Sequence, residues 1–180
     1  VAAYVQDRCE VDFVISSPLL RAQQTAAAFG RPVEIDERWL ELAYGRYEGT
    51  PHADVPSEIW THWRENPDFT PEGGESLTAL DVRVRNACQD LVARADAANI
   101  VVVSHVSPMK SAVGWALGVG VDISFNCHLD HASVCRIAIR GGDVYINGER
   151  LRKSFDDLLR MQHVVHNNEF QPPSSDELPP

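Results

Sequence analysis

The sequence has no run of eighteen or more apolar residues, so it offers no candidate transmembrane helix. Its opening residues, Val1 to Arg8, lack the basic start and long apolar stretch of a signal peptide. Positive charge is scarce: 16 Lys and Arg face 26 Asp and Glu, for a formal net charge of −10. Such a balance excludes the broad basic face that nucleic acid or an anionic membrane rewards. It leaves room for a small phosphorylated partner, because a single pocket can be positive on an acidic protein. Cysteine is limited to Cys9, Cys88, Cys127 and Cys135, with no Cys-x-x-Cys pair. A chain of 180 residues needs no disulfide staples, so the four are read as reduced, buried hydrophobes of a cytoplasmic protein. No internal repeat is present.

What is there fits one globular domain, with 44% hydrophobic and 23% charged residues. Residues 1–8 read as the last turns of an amphipathic helix, and residues 12–16 as a short buried strand. Ser17-Pro18 is a strong helix start, since serine caps exposed amides and proline suits the first helical position. Leu19, Ala22, Ala26 and Phe29 then mark one helix face, ended by Gly30 and Pro32. A short extended stretch follows over 33–35. Residues 41–75 are rich in glycine and proline and hold one short aromatic helix near Ile59–Arg64. Excursions of this kind often carry function. Leu77, Leu80, Val84, Ala87 and Leu91 predict a helix over 76–96. The apolar run 99–104 reads as a parallel strand buried on both faces. Ser107-Pro108 repeats the capped start, and Gly118 and Gly120 end that helix. Residues 134–139 and 144–146 read as a hairpin through Gly141-Gly142. An amphipathic helix is expected through Leu151, Phe155, Leu158 and Leu159, then a polar, proline-rich tail.

Alternating strands and helices imply a layered α/β sheet with right-handed crossovers. Two segments share one design: a buried strand, then serine-proline, then a helix. Ligands bind at the carboxyl ends of strands in such sheets. The first segment delivers Arg21 there and the second His105, together with two helix amino termini. Arginine, with its planar two-donor fork, suits phosphate.

Five stretches in order resemble the histidine phosphatase superfamily, also called phosphoglycerate mutase-like. Ser16-Ser17-Pro18-Leu19-Leu20-Arg21-Ala22-Gln23-Gln24-Thr25-Ala26 is similar to its second arginine motif. Glu41-Leu42-Ala43-Tyr44-Gly45-Arg46-Tyr47-Glu48-Gly49 is similar to its acid motif. Gly73-Gly74-Glu75-Ser76, Val102-Val103-Ser104-His105 and Leu129-Asp130-His131-Ala132-Ser133 resemble its helix start, second histidine motif and late strand lead-in. The resemblance implies a three-layer α/β/α sandwich with a mostly parallel sheet, and a metabolite phosphatase working through a phosphohistidine without metal or cofactor. On that likeness Arg21 clamps the phosphoryl oxygens, His105 stabilises their growing charge, and Glu41 protonates the leaving oxygen and later helps activate water. Ser17 and Val106 join Arg21 and His105 in binding substrate.

The family's nucleophilic Arg-His-Gly motif, with the sheet's first strand, is absent from these 180 residues. The expectation is that the natural protein supplies it upstream of Val1, and that this chain alone is inactive. Residues 104–110 most resemble acid phosphatase domains, similar to α-ribazole phosphatase, that some bacteria fuse to ribonuclease H. Val106 and His131 stand where many members carry glycine and asparagine. The short excursion favours a phosphatase over a phosphoglycerate mutase; a non-catalytic relative that binds phosphorylated ligands or partners is the main competitor. Trp60, His62 and Trp63 either line the substrate pocket or pack on the sheet. Lys110 either faces the rim or is solvated. Cys127, His128, Asp130 and His131, and the pair His163 and His166, match no standard zinc spacing. The domain is expected over 1–163 and the tail over 164–180; whether it forms a homo-oligomer is left open.

Overall fold

The computed structural model describes residues 1–140, 143–146 and 149–150. Its first sheet contains β1 (Phe13–Ser16), β2 (Val33–Ile35) and β3 (Ile100–Val103), parallel and ordered β2-β1-β3. The register pairs Ile15 with Glu34 on one side and with Val102 on the other. The second is an antiparallel sheet of β4 (Ile137–Arg140), β5 (Asp143–Ile146) and β6 (Glu149–Arg150). The helices are α1 (Ala2–Gln6), α2 (Leu20–Ala27), α3 (Ser57–Glu65), α4 (Leu77–Ala95), α5 (Val106–Leu117) and α6 (Ile123–Asn126). None is long and apolar enough to cross a membrane.

Alternation along the strands divides the core into two layers. Val14, Val33, Val101 and Val103 face α1 and α2, meeting Val5, Ala26 and Phe29. Ile15, Ile100 and Val102 face the other way, toward Leu80, Val84 and Ala87 of α4 and Trp115 of α5. Leu80 and Val84 are essentially sealed, each stabilising the fold by about 1.5–3 kcal/mol through burial. Ser76, expected as the first helical residue, instead caps α4, its hydroxyl accepting from the Ala79 amide at 3.0 Å. Helices on both faces of a parallel sheet make the expected α/β/α sandwich.

Four local expectations need correction. Helix α2 begins at Leu20 rather than beside Ser17, and its N-cap residue is Leu19 with no side-chain cap bond. Helix α5 begins at Val106 with His105 as its N-cap residue, so Ser107 lies inside the first turn. Strand β3 is half-buried along its length, not sealed on both faces. Only Cys88 of the four cysteines is buried; Cys9, Cys127 and Cys135 are half-buried, and all four are free thiols. The hairpin is present, though its first strand starts at Ile137. The helix expected after Leu151, the tail, His163 and His166 lie outside the described residues.

Strand β3 pairs only with β1, and β4 only with β5, among the described residues. An apolar slot of about 170 Å³ is bordered by Ile100 and Val102 of β3 and by Ile137 and Ile139 of β4. Trp39 also lines it, and the buried Trp39 indole N–H has no hydrogen-bond partner among the described residues.

Candidate active site

Strands β1 and β3 run in parallel register, so the segments after Ser16 and Val103 leave the sheet at the same end. His105, two residues past β3, is buried. Its Nε2 lies 2.8 Å from the Ser17 hydroxyl. Ser17 itself is fully buried and also accepts from the Leu19 amide at 3.3 Å. This explains why Ser17 does not cap α2 deeper in the helix: its hydroxyl is engaged at the loop and at His105.

Arg21, the second residue of α2, is exposed. Its guanidinium makes no hydrogen bond or ion pair among the described residues. Its charge nonetheless reaches His105. Burial pushes the His105 imidazole below its ordinary value; the Arg21 charge, and more weakly Arg83, push the same way, and Glu41 opposes them. His105 therefore sits between Arg21 and Glu41 electrostatically.

Glu41 is half-buried in the segment between β2 and α3. Its Oε1 accepts from the Leu42 amide at 2.8 Å and from the Ser107 amide at 3.2 Å. Ser107 lies in the first turn of α5, so an acid caps the positive end of that helix. Val106 opens α5 and is half-buried beside His105. Thus Ser17, Arg21, Glu41, His105 and Val106 gather at one rim.

Two loops hold the acid in place. The Arg46 amide donates to the Glu72 carbonyl, and the Glu75 amide to the Ala43 carbonyl, each at 2.9 Å. Gly45 adopts φ +58 and passes so close that a Cβ there would overlap the Glu72 carbonyl and lie 2.6 Å from the Gly74 amide nitrogen. Burial chiefly, with the Glu41 charge, raises the Tyr44 phenol above its ordinary value.

The aromatic helix packs rather than opens toward solvent. Trp63 is buried, with ring centroids 5.7 Å from both Tyr44 and Trp60. His62 is exposed and lies edge-on to Phe69. Lys110 is not simply solvated: its Nζ donates to the Ser124 carbonyl at 2.7 Å, tying α5 to α6. His128 and Asp130 pair at 3.0 Å on the surface. Among the described residues no three His, Cys, Asp or Glu side chains converge as metal ligands. Sequence reasoning passed over Tyr44 and Arg83 as site residues; the spacing of Arg83 from Glu75, in the Gly-Gly-Glu-Ser stretch, was the available signal.

Residues 1–150 match the histidine phosphatase superfamily (branch 1). The chain belongs to this superfamily. It is 34% identical over 140 residues to a bifunctional protein of Mycobacterium tuberculosis, covering 74% of this chain but 38% of that one. It is 31% identical over 134 residues to phosphoserine phosphatase 1 of Hydrogenobacter thermophilus, covering 70% of this chain and 64% of that protein. In three dimensions it is similar to an alpha-ribazole-5'-P phosphatase candidate from Escherichia coli, with TM-score 0.68 and 24% identity, covering 80% of this chain and 75% of that one. That likeness identifies the fold as the phosphoglycerate mutase-like α/β/α arrangement of the superfamily.

Proposed function

We propose that this domain is the phosphate-handling part of a phosphatase that hydrolyses phosphomonoesters of small metabolites. The observation that carries the reading is the position of His105. It is buried, held by Ser17, and lies within the fields of both Arg21 and Glu41 at the carboxyl end of a parallel sheet. The names of the curated relatives support the reaction class, and superfamily membership supports the route.

A histidine nitrogen attacks phosphorus while the bond to the leaving oxygen breaks. The Glu41 carboxyl gives its proton to that oxygen. Arg21 donates its two-pronged fork to the non-bridging oxygens, and His105 helps balance the charge they gather. Water then attacks the phosphohistidine, giving a proton to the Glu41 carboxylate as the phosphorus–nitrogen bond breaks. Ser17 holds the His105 ring, and Val106 lies beside the bound phosphoryl group. The route passes through no metal ion.

The nucleophile is proposed to come from a segment upstream of Val1. The slot between β3 and β4 supports this: it is apolar, bounded by two strands that each have an unpaired edge among the described residues, and lined by a tryptophan whose N–H has no partner among them. An inserted strand would satisfy both edges and carry its terminal loop to the rim.

The test is rapid quenching of the full natural chain with ³²P-labelled phosphomonoester. Acid-labile, alkali-stable label on protein, formed and lost at the turnover rate and unaffected by chelator, is expected. Substrate binding without labelled protein or released phosphate would favour a binding relative instead.

A further inference from the structure

Arg83, in the second turn of α4, is the most fully engaged side chain around the rim. Its Nε and one terminal nitrogen grip Glu75 at 2.7 and 2.8 Å. The other terminal nitrogen donates to two backbone carbonyls, Arg38 at 2.7 Å and Leu40 at 2.8 Å. A fifth bond, at 3.3 Å, reaches the Glu41 carbonyl. A guanidinium has five N–H donors in a rigid fork, and all five are used. Both ion-pair side chains are about one-fifth exposed, so the clamp is largely sheltered from water.

We infer that Arg83 is the positioning residue of the proposed acid: it fixes the backbone of residues 38–41 on α4, and so sets where the Glu41 carboxylate meets the amino end of α5. The inference rests on the acid role proposed for Glu41. Three of the five bonds go to carbonyls on the segment that ends at Glu41. The segment leaves the 3-10 turn Glu37–Trp39, whose Trp39 carbonyl is held by the Ser104 hydroxyl at 2.7 Å and whose Arg38 amide is held by Asp36 at 2.9 Å. The carbonyls of Arg38, Leu40 and Glu41 are the ones Arg83 holds. Glu75 is the second anchor, since its amide also binds the Ala43 carbonyl just beyond Glu41. Lysine would keep the charge but lose the fork, and could not span a carboxylate and three carbonyls.

The test uses the full natural chain with Arg83→Lys, and Glu75→Gln as a second, milder variant should the first fail to fold. Hydrolysis of glycerol 3-phosphate, whose leaving alkoxide needs a proton, is compared with 2,4-dinitrophenyl phosphate, whose leaving group does not. Misplacing the acid should lower kcat on the first about 10- to 100-fold, with KM nearly unchanged. The second substrate should change by less than about threefold. Glu41→Gln should show the same pattern, and Arg83→Lys in that background should add little. Equal losses on both substrates, or additive losses, would overturn the inference. If Glu41→Gln shows no dependence on leaving group, the acid role fails instead. Amide exchange then decides the positioning claim by itself. The Leu42 and Ser107 amides, both bound by Glu41, should exchange faster by tenfold or more in Arg83→Lys while the Ile15 amide is unaffected. Unchanged exchange at Ser107 would sink it.

Discussion

His105 and Ser17, 88 residues apart in sequence, meet through a buried contact of 2.8 Å at the carboxyl ends of two neighbouring strands. Ser17 is wholly buried and His105 keeps only a small exposed edge. The pair couples the fold's central register to the orientation of the ring proposed to meet phosphate.

Removing the hydroxyl should therefore be felt in stability before chemistry. Ser17→Ala strands a buried ring nitrogen and is expected to cost about 1–3 kcal/mol. Urea unfolding of the full chain would show it as a lower midpoint at unchanged m-value. A shift under roughly 0.5 kcal/mol would mean the contact contributes little.

Acid should weaken the fold partly through His105. Its folded value is depressed, first by burial and then by Arg21. The stability it contributes is complete above the ordinary imidazole value near ~6.5 and lost as pH falls through the lower folded value. Melting temperature should then decline less steeply on the acid side in His105→Gln than in wild type. A bound dianion favours the protonated ring, so sulfate binding should take up a proton. Calorimetry in two buffers of different ionisation enthalpy measures that uptake, and zero uptake would contradict the placement of His105 in the anion site.

Arg21 offers the opposite profile. Its fork is exposed and makes no bond among the described residues. Arg21→Lys should leave the melting temperature within about a degree, while phosphate inhibition weakens roughly 10- to 100-fold, the worth of charge-assisted bonds lost with the planar fork. Comparable inhibition in both proteins would remove Arg21 from the site.

Gly45→Ala should damage the acid loop. The position has φ +58 and its Cβ would collide with backbone of the 72–74 turn, which has no flexible end to move aside. A loss of more than about 2 kcal/mol is expected, because strain and overpacking act together. Thermal melts of the variant would check it, with Gly30→Ala, whose Cβ would meet nothing, isolating the cost of the positive φ alone.

Much of this architecture is written locally. Alternation made Val14 and Ile15 face opposite layers, and apolar spacing marked α4 to within one residue at each end. The motifs singled out Arg21, Glu41 and His105, and the charges of the first two reach the His105 ring. The misreadings share one cause, a partner far away in the chain. Ser-Pro twice suggested a capping serine, but the Ser17 hydroxyl is claimed by His105, and His105 is itself the N-cap residue of α5. The apolar run of β3 suggested burial on both faces, yet composition does not say which strand edge is covered. Arg83 drew no notice, because three of its five acceptors are backbone carbonyls, which carry no signature in sequence.

The pairing of β1 with β3 has a kinetic consequence. Phe13 joins Ile100, and Ser16 joins Val103, only after more than eighty intervening residues are brought back. Closing such a loop is entropically slow, and contacts of this range form late in folding. The rim thus exists only once these distant segments have met. An anion that binds it can do so only when the sheet is complete, and its binding energy is added to the stability of the whole domain rather than to one loop.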